Sequence, residues 1–304
     1  MTVKYIITKS DEEWLALRGK DVTSTESAAL FNMSPHITEL ELFHRKKTGD
    51  LASFESNARM KAGIALEGAI ADLASQELGC EVKPFKVYAT DQDRMGSSFD
   101  YKIMDGKFKG WLLEIKNVDF LVYRDNWLDD EAPDHIEVQC QHQLEMTGRD
   151  GIIIACLVGG NDLKLIERPR NHKMGAGIRQ RIQKFWQDIK EGNEPKPDFS
   201  RDADFIISLH RQAGIEIEVL GPQDRVSGLM ERYYESRRVV KEAEAESKAI
   251  KAEMLTMVGD TTGKVIYGDL SLSCGEVKES FVEAYTRKGY RSFRINRKKS
   301  KGMI

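Results

Sequence analysis

The stretch from Gly96 to Asn117, GSSFDYKIMDGKFKGWLLEIKN, constrains this chain more than any other. Two runs with strand character, Ser98 to Met104 and Trp111 to Val118, flank a Gly-containing turn around Asp105-Gly106, which is the pattern of a β-hairpin. Period-two alternation sends Leu113 and Ile115 to one face of the second strand and Glu114 and Lys116 to the other. A carboxylate and an ammonium then stand side by side, and Asp100 on the neighbouring strand can bring a second carboxylate towards Glu114. Two such oxygens suit a hard divalent cation such as Mg²⁺. Hydrolysis of a phosphodiester uses this arrangement: a metal draws charge from the phosphate and acidifies a bound water, while Lys116 can hold that water or neutralise developing charge. Read alone, Glu-x-Lys is more simply an exposed salt pair. The Asp a strand upstream, the apolar flanks and the polar residues on neighbouring helices shift the balance towards the metal.

Those helices are marked by their ends. Ser10 to Glu13, Thr23 to Glu26, Thr38 to Glu41 and Asp134 to Glu137 each have the form of a capping box. The first opens a short helix with Trp14, Leu15 and Leu17 on one side and Arg18 at its end. The third opens a helix whose basic run His44-Arg45-Lys46-Lys47 fits a solvated last turn favoured by the helix dipole. From Ser56 to Leu78, Met60, Ile64, Ala71, Ala74 and Leu78 recur at helical spacing before Gly79, and Glu67 falls on the same stripe. A buried carboxylate needs compensation, from a metal or from Arg or Lys. On the Asp134 helix the inward stripe is Ile136, Gln139, Cys140, Gln143, Leu144 and Thr147, closing at Gly148; two core-facing glutamines require partners. His142 projects from another face and reads as a surface histidine.

Between these helices, Glu81 to Thr90 reads as one strand with Pro84 near an edge. Phe120 to Pro133 reads as a loop or lid beside the site, with Tyr123, Arg124 and Trp127 able to stack on unpaired bases. Gly151 to Val158 is a continuous apolar run, as in a strand buried on both faces, and Leu163 to Arg168 pairs beside it. A helix from Lys173 to Lys190 covers the sheet.

Pro195 and Pro197 mark a boundary, giving a core of residues 1–198 and an extension of residues 199–304. The extension holds an amphipathic segment, Asp202 to Gln212. A long charged helix follows from Pro222 to Met257, with a narrow stripe of Val226, Met230, Tyr233, Val240, Ile250 and Met257 that suits a partner helix or another subunit. Strand patterns around Gly268-Asp269 come next. From Arg287 onward basic residues occur without acidic ones, as in a phosphate-contacting arm or a solubilising terminus.

Net charge is −3 over 304 residues, so positive charge for a nucleic acid must be local. Hydrophobic content of 40%, without an apolar run near the roughly 20 residues that span a bilayer, predicts a cytosolic protein with no membrane partner. Cys80, Cys140, Cys156 and Cys274 form no C-x-x-C pair, which argues against a zinc or iron–sulfur site and against a disulfide framework.

The ordered set Gly63-x-x-x-Glu67, Ser98-Phe99-Asp100, Leu113-Glu114-Ile115-Lys116 and Gln139-x-Gln141 resembles the YqaJ-type viral recombinases, phage exonucleases related to lambda exonuclease within the PD-(D/E)xK superfamily. The resemblance covers about Ser10 to Pro197. Phe99 stands where the family often has Pro, a change that removes no ligand.

The resemblance implies an α/β restriction-endonuclease-like core, a central mixed sheet flanked by helices, with a C-terminal α+β extension containing a long helix. It implies Mg²⁺, with Mn²⁺ able to substitute, held by Asp100, Glu114 and the Ile115 carbonyl, with Glu67 completing the acidic site. Lys116 and Gln139 would position water, and Arg18, Thr23, Thr25 and Ser98 would read a 5′-terminal phosphate. The expected activity is resection of duplex DNA ends from the 5′ side, leaving 3′ single strands. The expected assembly is a homo-oligomeric ring trimer working with a single-strand annealing protein, phage- or prophage-encoded in a bacterial cytoplasm. The rivals are a structure-specific or restriction-type endonuclease on the same core, and a non-catalytic recombination scaffold.

Overall fold

A computed structural model describes residues 2–49, 58–127, 131–210, 224–259, 263–267 and 270–274. The chain divides into two compact units, residues 1–205 and 206–304.

In the first unit the chain runs β1 (Lys4–Ile6), α1 (Asp11–Lys20), β2 (Val22–Thr23), a 3₁₀ turn (Ser27–Phe31), α2 (Glu39–Thr48), α3 (Ala58–Leu78), β3 (Val82–Pro84), β4 (Tyr88–Thr90), β5 (Met95–Ser98), β6 (Tyr101–Ile103) and β7 (Leu112–Val118). It continues through α4 (Phe120–Asn126), α5 (Asp134–Thr147), β8 (Gly151–Val158), β9 (Asp162–Pro169) and α6 (His172–Glu191). The central sheet is mixed, in the order β3-β6-β7-β8-β9, and only β7 and β8 run parallel. A smaller sheet has the order β1-β4-β5-β2.

Every residue of β8 is buried, which explains its unbroken apolar sequence. Alternation along the strands splits the core in two. Leu113, Ile153 and Ala155 pack with Ile70, Ala71 and Ala74 of α3, whereas Leu112, Ile152, Ile154 and Cys156 pack with Leu144 of α5 and Ile178 and Phe185 of α6. Glu114 and Lys116, in phase with Leu112, therefore face the α5 side.

Several sequence expectations are corrected. Glu81 to Thr90 is two strands in different sheets, β3 and β4, and the run beginning at Ser98 is likewise divided, because Ser98 ends β5 while Tyr101 begins β6. Phe99 and Asp100 are the crossing point. Phe120–Asn126 is a helix, not a lid loop; Tyr123 and Trp127 are buried and stacked on each other at 5.2 Å, so they offer no face to a base. Asp134 is the first residue of α5 rather than its cap, which is Pro133 without a side-chain bond. On α3, Ile64 is 70% exposed, and the buried stripe runs instead through Ile70, Ala71 and Ala74. Thr23 to Glu26 forms half a box, with Glu26 accepting from the Thr23 amide at 2.9 Å, but the helix behind it is only a 3₁₀ turn.

The Ser10 and Thr38 caps form as expected, accepting from the amides of Glu13 and Glu41, and Gly49, Gly148 and Gly192 close α2, α5 and α6 in left-handed conformations. Of the basic run on α2, Lys46 points inward, its side chain 4% exposed and paired with Glu26 at 2.9 Å.

Beyond α6, α7 (Ala203–Leu209) is shorter than the segment expected there, and Gln212 lies outside the described residues. In the second unit α8 (Asp224–Val258) is the expected long helix, and β10 (Gly263–Tyr267) pairs antiparallel with β11 (Leu270–Cys274). Gly268-Asp269 and the basic tail from Arg287 lie outside the described residues, as does Ser56. Among the described residues no helix is long and apolar enough to cross a membrane.

Candidate active site

The site forms where β6 stops short of β7. Ile103 donates its amide to the Trp111 carbonyl at 2.9 Å, so the odd-numbered residues of β7 aim their backbone groups at β6. Tyr101, opposite Leu113, is the first residue of β6, and the chain before it has left the sheet. One step further along β7, the Ile115 amide has no strand carbonyl to meet and donates to Asp100 Oδ2 at 2.8 Å. The same alternation turns the Ile115 carbonyl towards this edge.

Glu114 is 4% exposed and its carboxylate is held on every side. Oε1 accepts from Lys116 Nζ at 2.6 Å and from Gln139 Nε2 at 2.6 Å, and Oε2 accepts from Gln143 Nε2 at 2.8 Å. Lys116 Nζ also donates to Gln139 Oε1 at 3.2 Å, closing a ring of three side chains. Burial alone would lower the Lys116 pKa, but Glu114 and Asp100 outweigh it and hold the ammonium above its usual value.

Asp100 shows where charge is out of balance. Burial, then the charge of Glu114, with a smaller push from Glu67, raise its carboxyl to about 8, against the pull of Lys116 and the Ile115 amide. Asp100 and Glu114 share the one ammonium of Lys116, which leaves excess negative charge in a poorly hydrated place. That donor set of hard oxygens fits a divalent cation. Among the described residues no three His, Cys, Asp or Glu side chains converge as a ready-made cage, and Glu67 stands off, its side chain 23% exposed and 3.9 Å from Lys86 Nζ.

A second cluster lies around the C-terminal end of α1. Arg18 lies over the Trp14 ring at 4.6 Å and donates to Thr25 Oγ1 at 3.3 Å; Thr23 and Thr25 hydroxyls are 3.2 Å apart, and Thr23 Oγ1 donates to Glu26 at 2.8 Å. Burial would raise the Glu26 pKa, yet Lys46 and Arg18 hold it below the usual carboxylate value. Trp14 Nε1 donates to Ser98 Oγ at 2.9 Å, and the Ser98 carbonyl accepts from Gln143 at 3.3 Å. A continuous path thus joins Trp14, Ser98, Gln143 and Glu114, and the sequence-predicted residues other than Glu67 fall into two connected groups.

Gln141, by contrast, faces away, bonding Glu137, the Pro169 carbonyl and the Asn171 amide. The expectation of a surface His142 is overturned: it is fully buried, with Nε2 3.0 Å from the Gly96 carbonyl, because α5 is covered on several faces. Gly96 itself has no room for a side chain; a Cβ there would lie 2.7 Å from Asp21 Cβ and overlap the Tyr88 hydroxyl.

The direct bond of Gln143 to Glu114 was not read from sequence, although its spacing one turn after Gln139 was a usable signal. The Trp14 bond could also have been sought, since a half-buried indole N–H needs an acceptor.

Comparison with known proteins bears on the fold. The curated relative YqaJ of Bacillus subtilis (strain 168), an uncharacterised protein, is 26% identical over 201 residues, covering 64% of this chain and 61% of its own length, so the chain matches less than two thirds of that relative. The crystal structure of the alkaline exonuclease LHK-Exo from Laribacter hongkongensis superposes with a TM-score of 0.50 at 22% identity, covering 64% of this chain and 99% of that one. Its complex with dAMP gives a TM-score of 0.50 at 21% identity with the same coverage. These structures share the fold. Residues 13–150, a little under half of the chain, match the family model of the YqaJ-like viral recombinase domain.

Proposed function

We propose that this protein is a divalent-metal-dependent DNA exonuclease that resects duplex ends from the 5′ side and leaves 3′ single strands for annealing. A DNA exonuclease role is what the YqaJ-like family and the alkaline exonuclease fold support. The observation that carries the reading is the convergence of Asp100, Glu114, Lys116 and Gln139 at the start of β6, with one carboxyl raised to about 8 by burial and by its neighbours' charge.

Asp100, Glu114 and the Ile115 carbonyl would hold Mg²⁺, or Mn²⁺ in its place, and Glu67 would complete the acidic site. A bound divalent ion supplies charge withdrawal from the phosphate and a more acidic water. The chain's own groups do the rest. Gln139 orients the attacking water through its amide, and Lys116 offsets charge that builds on the phosphate oxygens. Gln143 fixes the Glu114 carboxylate so that its other oxygen stays aimed at the site.

Arg18, Thr23, Thr25 and Ser98 would bind the terminal 5′-phosphate, Arg18 by charge-assisted hydrogen bonds and the hydroxyls as donors. The path through Trp14 and Ser98 supports coupling of end recognition to the acidic site. A core of residues 1–198 with an extension from 199, a ring trimer around duplex DNA, an annealing-protein partner and a phage-type role in a bacterial cytoplasm complete the proposal.

The test is one assay on linear duplex with 5′-phosphate, linear duplex with 5′-hydroxyl and covalently closed circles, each with and without Mg²⁺. Metal-dependent loss of linear duplex, fastest from phosphorylated ends, is expected. Cutting of closed circles would establish an endonuclease instead, and binding without cleavage under all conditions would establish a scaffold.

A further inference from the structure

We propose that α8 is a self-association element, pairing with α8 of a second copy as an antiparallel two-stranded coiled coil. The inference stands apart from the nuclease reading, because it concerns only the second unit.

The helix carries a heptad seam over nearly its whole length. Stepping from Val226 alternately by three and four residues as far as Met257 meets only uncharged side chains, among them Leu229, Tyr233, Val240, Ile250 and Met254. Every Arg, Lys, Asp and Glu of this charge-rich helix lies off that seam. A repeat of 3.5 residues over more than about four heptads, apolar except at Ser236 and Ser247, is the pattern of a coiled coil rather than of a helix lying on a domain core. Along the seam Leu229 is 51% exposed, Val240 40% and Ile250 49%, with Leu272 of β11 bordering it beside Ile250 and Met254.

What selects a second copy is that the helix is complementary to itself in one direction. Set antiparallel with Val240 against the partner's Ala243, the whole seam stays in register. Tyr233 then meets the partner's Ile250, Leu229 meets the partner's Met254, and the small Ser236 meets the partner's Ser247. Outside the central layers of Val240 with the partner's Ala243, large side chains thus share layers with large ones and small with small.

Charges beside the seam decide the direction. Reversing one helix puts equivalent flanks face to face, so Arg237 lies opposite the partner's Glu244 and Arg232 opposite the partner's Glu253, each pair occurring twice by symmetry. No like-charged pair arises. In a parallel dimer or any parallel bundle, Arg232 would instead face the partner's Arg237, also repeated, against a single kind of attractive pair between Glu246 and the partner's Lys251. The ion pairs of Arg238 with Glu235 and Glu242 belong to the outer face and do not compete.

The experiment measures self-association of the full chain by sedimentation equilibrium, with far-UV circular dichroism to verify folding. Arg237→Glu should weaken association by about tenfold, since two exposed attractive contacts become repulsive. The double variant Arg237→Glu with Glu244→Arg should recover it, and Val240→Glu should abolish this step. A parallel arrangement gives the opposite sign, because Arg237→Glu would relieve a repulsion and tighten association. That result, or an Arg237→Glu variant that associates like the parent, would overturn the proposal. So would a folded Val240→Glu chain of unchanged mass, as expected if another segment or a different protein covers the seam.

Discussion

Gln143 Nε2 lies 2.8 Å from Glu114 Oε2 and 3.3 Å from the Ser98 carbonyl, so one amide group holds both the central carboxylate and the strand that leads to the second cluster. A hydrogen bond to a charged group contributes about 1.5–3 kcal/mol. Gln143→Ala should therefore lower kcat by roughly ten- to a hundredfold with little change in KM for DNA, because the residue orients Glu114 without meeting substrate. Single-turnover kinetics at saturating metal would measure this. A loss in Gln143→Glu with none in Gln143→Ala would show that only charge matters at this position.

Lys116 answers to a different balance. Its side chain is 22% exposed and bonded to Glu114 at 2.6 Å, so removing it leaves two carboxylates facing each other with no ammonium between them. Lys116→Ala is expected to abolish cleavage and also to destabilise the metal-free protein by a few kcal/mol, on the order of 3, as for loss of one partner of a buried pair. Added Mg²⁺ should restore part of that stability, which thermal melts with and without metal would reveal. Near-normal turnover in this variant would remove Lys116 from the catalytic set.

Arg18 separates recognition of an end from chemistry. Through charge-assisted contacts, Arg18→Ala should slow cleavage of 5′-phosphorylated duplex by roughly ten- to a hundredfold and leave 5′-hydroxyl duplex little changed. Equal losses on the two substrates would mean that Arg18 supports the α1 region, where it packs on Trp14.

His142 predicts an acid-sensitive fold. Burial lowers its pKa from 6.5 to about 3, and with Nε2 on the Gly96 carbonyl, Nδ1 has no partner among the described residues to which an added proton could bond. The unfolded chain takes up that proton near the ordinary value and the folded chain does not, so stability is lost as pH falls from about 6.5 towards 3. The slope should approach about 1.4 kcal/mol per pH unit well below 6.5. Urea unfolding from pH 7 to pH 4.5 would show the slope in the parent chain. His142→Gln, which cannot ionise, should lack that component, whatever its stability at pH 7.

The amino-acid sequence by itself determined the local geometry. The alternation that places Glu114 and Lys116 on one face of β7, the glycine stops of α2, α5 and α6, the unbroken apolar run of β8 and the length of α8 all follow from periods and caps acting over a few residues. Tertiary structure decided what those elements meet. Nothing near Ser98 announces that β5 and β6 belong to different sheets, because a strand's partner is fixed by distant chain. Periodicity alone presents His142, Tyr123, Trp127 and Lys46 as outward or available, but a helix face is exposed only if nothing packs on it, and here α5, α4 and α2 are covered by elements far along the sequence. The same holds for Gln143: its spacing put it on the right face, but only the packing of α5 across β7 brought its amide to Glu114. Periodicity assigns directions along an element, whereas burial and charge balance depend on the elements that close around it.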